Sequence, residues 1–470
     1  MSKNLLRKLP SVDALLKTDQ ARNLIEAYSR EAVVDAARSV LQELRSEISA
    51  EKVKADSEET ISADYISKKI ENRLGDKFFP SLRPAVNATG VILHTGLGRA
   101  LLSSEARKAI QEAIRGYCTL ATDIETGRRG NRDVHIEGLL CELTGAEVAT
   151  IVNNNAAATV LILNTLARGR EVIVSRGQLV EIGGSFRMPE VMESSGAIMR
   201  EVGTTNKTHL RDYAAAVNEN TGAILRVHHS NYRIVGFAEE PSIEELSKLA
   251  QEHHLPLIDD LGSGALVDLR EYGLEAEPVV KDSIKAGVDV ACFSGDKLIG
   301  GPQSGIIVGK TSVVEKIRKN PLKRALRVGK LTLAGMEATL KLFLNHEKLK
   351  EDHPVYRMFS LKTEELEKRG KKVIKRLQAE LAAKAEVSLE EGGSQVGSGS
   401  GPVETIPTKL VQVKPASVSA ESLVKRLRYN NPPVFARVHK DAVLLDLRTI
   451  QEDEDERIVD ALLRALGRKR

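Results

Sequence analysis

The residue with the most chemical potential in this chain is Lys297. It follows the apolar run 288–293 across Ser294, Gly295 and Asp296, and it precedes the turn Gly300-Gly301-Pro302 and a second apolar run, Gly305–Gly309. Burial and neighbouring cations lower an amine's pKa, and a lysine so treated is nucleophilic enough to form a Schiff base with an aldehyde cofactor. Taken alone, the same residues also suit a surface lysine in a hairpin loop. Three other stretches decide between these readings.

The first is Asn153-Asn154-Asn155-Ala156-Ala157-Ala158-Thr159, directly after the apolar run 147–152. Small residues opening a helix leave backbone N–H groups at its positive end, which suits a phosphate. Neither a Walker loop nor a Gly-x-Gly-x-x-Gly fingerprint accompanies it. The second is the polar segment 228–233 (His-His-Ser-Asn-Tyr-Arg), whose Ser230 is a candidate cofactor contact. The third is Asp259-Asp260-Leu261-Gly262-Ser263-Gly264, at the end of another apolar run. A carboxylate there suits the partner of a pyridine nitrogen, whose charge turns the ring into an electron sink. Asp260 is preferred, because Asp259 sits where the buried alternation of the strand ends. Phosphate cradle, polar loop, aspartate, then lysine before a Gly-rich turn is the chain order of fold-type I pyridoxal-phosphate enzymes. Asn154, Asn155, Ala156, Ser230, Asp260 and Lys297 are therefore the expected cofactor contacts. Asp296 beside the lysine is a candidate acid/base, and equally suits a purely structural support for the turn.

Elements able to position these residues are legible around them. The runs 147–152, 171–174, 222–227, 255–259 and 288–293 are short, apolar and each followed by a helix-compatible stretch. That pattern predicts a mostly parallel sheet covered on both faces, with ligands beyond the carboxyl ends of its strands. Residues 1–75 read as a helical domain, with a helix from Asp19 to about Ile48; 76–350 as the α/β core; and 351–470 as a linking helix, roughly 355–385, and a small α+β domain. Residues 392–402 read as a flexible joint or Gly-rich loop.

With 470 residues and 41% hydrophobic content the chain can fill more than one core, and Lys+Arg 69 against Asp+Glu 65 leaves only +4. So mild a charge does not by itself argue for a nucleic-acid partner. Lys3, Arg7, Lys8, Lys17, Arg22, Arg30, Arg38 and Arg45 nevertheless crowd the N-terminal helices, where phosphate contacts would be sought. Cys118, Cys141 and Cys292 lie too far apart for a disulfide framework, and no metal-ligand spacing is present. No signal-type or membrane-length apolar run appears, so a cytoplasmic protein without membrane association is expected.

Longer segments carry a family resemblance. Residues 87–99, 127–130, 143–147, 153–158, 181–187, 230–237, 260–264 and 294–297 resemble the bacterial L-seryl-tRNA(Sec) selenium transferases, the selenocysteine synthases, and the likeness runs over nearly the whole chain. The resemblance implies a fold-type I enzyme that converts L-seryl-tRNA(Sec) to L-selenocysteinyl-tRNA(Sec), with selenophosphate as donor, through a pyridoxal-phosphate-bound aminoacrylyl-tRNA. It implies that Lys297 holds the cofactor, that Arg99, Arg324 and Arg327 bind selenophosphate, and that residues 1–75 bind tRNA. It further implies a homo-oligomer, a homodecamer built as a pentamer of dimers. His229 departs from the pattern, where a smaller hydroxyl residue is expected. The alternative is a fold-type I enzyme acting on a free amino acid or another small amine.

Overall fold

The computed structural model of the chain describes residues 6–50, 61–78, 80–183, 186–229, 231–381, 384–399 and 405–467. It divides into two compact units, Met1–Pro84 and Ala85–Arg470.

Helices Val12–Leu16, Asp19–Ala27, Arg30–Ser49 and Ala63–Phe78 make up the first unit. In place of the single helix expected from Asp19 to Ile48, the chain breaks at Tyr28-Ser29, because the Ser29 hydroxyl accepts from the Ala32 N–H at 3.2 Å and starts a new helix. Val33, Ala37, Val40, Leu41 and Leu44 then meet Ile66, Ile70 and Leu74 in a small apolar core. Arg7, Lys8, Lys17, Arg22, Arg30, Arg38 and Arg45 are exposed, while Lys3 lies outside the described residues.

In the second unit, β1 (Val86–Ala88) belongs to a C-terminal sheet, and β4 (Glu181–Ile182) pairs with β5 (Phe186–Arg187). The main sheet contains β2 (Val148–Val152), β3 (Glu171–Ser175), β6 (Ile198–Val202), β7 (Thr221–Val227), β8 (Leu257–Gly262), β9 (Val290–Ser294) and β10 (Gly305–Gly309). Their order is β2-β10-β9-β8-β7-β3-β6, and only β10 runs against its neighbours. Alternation sorts the side chains of this sheet. Ile151, Ile173, Ile224, Leu257, Ala291 and Phe293 face one core, and Val152, Val172, Leu225, Ile258, Val290 and Cys292 face the other. All five expected strand runs are present. β6 is an addition to them, since four of its five residues are exposed on a sheet edge and it shows no apolar run.

The expected linking helix is two helices, Pro354–Ser360 and Thr363–Leu381. The C-terminal sheet has the order β1-β13-β14-β12-β11, with β11 (Ala385–Ser394), β12 (Ile406–Pro415), β13 (Val434–His439) and β14 (Ala442–Asp446). Helices Thr363–Leu381, Ala420–Arg428 and Asp455–Leu466 supply its core. Gly392 and Gly393, expected in a loop, lie in β11, where a Cβ on Gly392 would come within 2.5 Å of Leu410. The glycines admit the neighbouring strand's side chains. Among the described residues no helix is long and apolar enough to cross a membrane, and no group of His, Cys, Asp and Glu could hold a metal ion.

Candidate active site

β2, β8 and β9 bring Asn154, Asn155, Ala156, Asp260 and Lys297 together at one end of the main sheet. Helix Asn155–Ala167 leaves β2 at once, and Asn154 caps it by accepting from the Ala157 N–H at 2.8 Å. Asn155 and Ala156 thus stand in the first turn, whose N–H groups have no partner within the helix. Gly305, the first residue of β10, packs against this turn, and a Cβ there would fall 2.1 Å from the Asn154 carbonyl oxygen. A glycine is required for the strand to approach so closely.

Asp259 and Asp260 point to opposite faces of β8. Asp259 is fully buried and pairs with Arg226 of β7 at 2.9 Å. Asp260 faces the cradle helix: Asn155 Nδ2 donates to its Oδ1 and Thr159 Oγ1 to its Oδ2, both at 2.8 Å. The Gly262 N–H adds a third bond at 3.1 Å. Burial raises the Asp260 pKa despite these donors. A cation facing it would compensate that cost, and the ring nitrogen of pyridoxal phosphate is such a group. Asn155 Oδ1 is also buried without a hydrogen-bond partner. These residues fit the cofactor. Thr159 is not among the residues that the sequence marks as chemical, although a polar residue four after Asn155 on an apolar helix is the signal that points to it.

Lys297 is 5% exposed, so the surface-hairpin reading is excluded although β9 and β10 are antiparallel neighbours. Burial lowers its pKa, with Arg99 adding to the effect and Asp260, Asp296 and Glu277 opposing it. The turn after it is held by His353, whose Nε2 donates to the Ile299 carbonyl at 2.8 Å. Burial brings the His353 pKa down to about 4, so this ring is neutral at working pH. Gly300 has φ +71° and lies where a Cβ would strike the His353 ring at 2.2 Å. His353 is remote in sequence and carries no signal there.

Asp296 is 6% exposed and accepts from Arg99 Nη1 at 2.7 Å. Arg99 itself has φ +62°, a left-handed conformation unusual for arginine and typical of residues held for a purpose. Arg324 and Arg327 are exposed on and after the short helix Leu322–Ala325. They lie near Arg132, whose pKa is lowered by burial first and then by the charges of Arg327, Arg129 and Arg324. Among the described residues no hydrogen bond or ion pair joins Arg99 to that cluster. His229, the departure from the family pattern, bonds the Gly177 carbonyl at 2.9 Å and packs edge-on against Tyr232. His228 reaches Glu277 at 3.1 Å. Ser230 lies outside the described residues.

Comparison with known proteins decides the family. Residues 85–451 match the family model described as L-seryl-tRNA selenium transferase, and residues 6–45 match that of the selenocysteine synthase N terminus. The chain belongs to the L-seryl-tRNA selenium transferase family. The L-seryl-tRNA(Sec) selenium transferase of Alkaliphilus metalliredigens is 47% identical over 458 residues, 97% of this chain and 98% of its own. That of Clostridium perfringens is 47% identical over 469 residues, the whole of both chains. Among solved structures, a D-glucosaminate-6-phosphate ammonia-lyase shares the fold at TM-score 0.57 and 21% identity, covering 84% of this chain and 98% of its own. The fold class of this selenium transferase family member is that expected from its sequence, fold-type I.

The charges around Lys297 give a testable titration. With its pKa lowered, the amine is neutral and reactive at a pH below the ordinary lysine value of 10.5. The rate at which pyridoxal phosphate attaches to the apoprotein should therefore rise with pH and level off before that value. Arg99→Met removes a cation that depresses the amine and leaves Asp296 without its partner, so the midpoint should move to higher pH. An unchanged midpoint, followed by absorbance, would show that Arg99 does not act on Lys297.

Proposed function

We propose that this chain converts L-seryl-tRNA(Sec) to L-selenocysteinyl-tRNA(Sec), with selenophosphate as the selenium donor and pyridoxal phosphate as cofactor. One observation carries the reading: full-length identity of 47% to an L-seryl-tRNA(Sec) selenium transferase, in a chain that keeps a buried lysine beside a buried aspartate. Bound here, the cofactor would withdraw electrons from the seryl α-carbon and make the β-hydroxyl replaceable.

The protein's own residues have separable tasks. Lys297 Nζ, its pKa lowered chiefly by burial, would hold the cofactor as a Schiff base and make way for the seryl amine. Asp260 keeps the ring nitrogen charged, with Asn155 and Thr159 fixing the carboxylate's plane. The first-turn N–H groups of Asn155 and Ala156 receive the cofactor phosphate, with Asn154 as their cap and Ser230 as a further contact. Asp296 serves as the acid/base near the reacting carbon, and Arg99, bound to it at 2.7 Å, orients that carboxylate. Arg99, Arg324 and Arg327 bind the selenophosphate oxygens, for which the guanidinium fork is suited.

The helical unit 1–84 binds the tRNA through its exposed cations. Arg38 and Arg45 are exposed seven apart on helix Arg30–Ser49 and so share a face. In Arg38→Ala/Arg45→Ala the KM for seryl-tRNA should rise severalfold, and the log–log slope of binding against salt should fall by roughly one for each phosphate that is no longer neutralised. The KM for selenophosphate should not move. Equal salt slopes for variant and parent would remove this helix from the interface.

A homo-oligomer, with a homodecamer of five dimers as its form, is consistent with the exposed Tyr117, Ile124, Val235 and Phe237. The cytoplasm is the compartment where aminoacylated tRNA is found. The substrate assignment is tested by offering the loaded enzyme free L-serine and seryl-tRNA(Sec) in parallel. Only the ester should turn over. Faster turnover of free serine would make this an enzyme of small amines.

A further inference from the structure

We infer that Lys323, part-buried beside the arginine pair and not itself a ligand, is the positioning residue that holds Arg324 and Arg327 in place for the selenium donor; this rests on the assignment of those arginines to selenophosphate. Arg324 lies in the helix Leu322–Ala325 and Arg327 just after it, and that helix is a single turn, too short to hold its own shape. Arg129, Arg324 and Arg327 all lie close enough for their charges to act on Arg132. Mutual repulsion spreads such a group unless the backbone beneath it is tied down.

The ties are visible, and none uses the guanidinium groups of Arg324 or Arg327. Lys323 Nζ donates to the Ile151 carbonyl at 2.6 Å and lies 3.4 Å from Asp133 Oδ1. Asp133 is 2% exposed, and its other oxygen accepts from the Thr150 hydroxyl. Arg318 Nε stands 3.8 Å from the same oxygen and has no hydrogen-bond partner of its own. A second tie runs from the Asn153 N–H to the Leu326 carbonyl at 2.9 Å. A third is Arg132 Nη1, which donates to the Val328 carbonyl at 2.7 Å.

Thr150, Ile151 and Asn153 belong to β2 and the start of the cofactor cradle. The arginine turn is therefore fastened to the strand end that opens the phosphate site. Burying an ammonium and a carboxylate is expensive for stability alone, and an apolar pair of similar volume serves as well or better. What the buried pair adds is direction: it fixes residue 323, and hence 324 and 327, relative to the cradle.

The test uses full-length, cofactor-loaded enzyme. Lys323→Met should raise the KM for selenophosphate roughly tenfold, the scale on which misplacing a binding group acts. The visible cofactor band, the KM for seryl-tRNA and kcat at saturating donor should stay close to the parent's, and Lys323→Arg should recover most of the loss. In an Arg324→Ala/Arg327→Ala background, Lys323→Met should add nothing. Thr150→Val, which keeps the shape and removes one bond to Asp133, should shift the same KM in the same direction by less; it decides the matter if Lys323→Met does not fold. An unmoved selenophosphate KM in whichever variant folds, or an equal added loss in the arginine-free background, would overturn the inference. Failure of the parent protein to use selenophosphate would instead overturn the assignment beneath it.

Discussion

Lys297→Ala is expected to leave a folded protein in which pyridoxal phosphate is no longer covalently attached and turnover falls at least about a thousandfold. The substitution removes the amine that stands with Asp260, Asp296 and Arg99 in the site's electrostatics. Folding should survive, because the turn after Lys297 is held by the Gly300 N–H on the Lys297 carbonyl at 3.0 Å and by His353, neither of which needs the lysine side chain. Borohydride reduction followed by peptide mass analysis reads the outcome directly. The parent should carry the adduct at Lys297, and the variant should carry none. Undiminished turnover in the variant, or an adduct on another lysine of the parent, would dismiss Lys297 from its role.

Asp260→Asn has the second largest expected effect. It keeps the shape of the side chain but removes the charge that faces the ring nitrogen, and kcat should fall about a hundred- to a thousandfold, as for loss of one preorganised electrostatic contact. Its effect on the apoprotein has the opposite sign. Burial raises the folded-state pKa of Asp260 above 3.8, so the folded form holds this proton to higher pH than the unfolded chain. The group's contribution to stability is complete below 3.8 and is lost as pH rises through the folded-state pKa. Apoprotein with asparagine should show less of that loss in urea titrations across the range. Asp259→Asn is the control: it should lower stability by stranding Arg226 and leave the cofactor chemistry nearer intact. If Asp259→Asn cost more in kcat than Asp260→Asn, the two aspartates would have to exchange roles.

Much of the site is readable because its parts follow buried strands, and a strand covered on both faces announces itself as an apolar run. The cradle, Asp260 and Lys297 each stand just beyond such a run. What escapes notice depends on interactions between distant segments. Thr159 matters because the helix after β2 lies across the end of β8, and His353 matters because its ring fills the space beside Gly300. β6 escapes because an edge strand with exposed side chains has no apolar pattern to show. The helix break at Ser29 reflects a cap that competes with continued helix, a contest that apolar spacing does not register. Gly392 and Gly393 read as a loop by composition, yet lie in β11 because Leu410 and Thr405 need the space. Lys323 is visible only as one more cation in a basic stretch, since its burial depends on Asp133 and Ile151, far away in the chain.

Purified, cofactor-loaded enzyme supplied with seryl-tRNA(Sec) and selenophosphate, followed by mild hydrolysis of the ester and mass analysis of the released amino acid, puts the assignment to its most direct trial. Selenocysteine should be recovered, and none should form from the Lys297→Ala protein. Serine alone, returned from a preparation shown to carry its cofactor on Lys297, would contradict it.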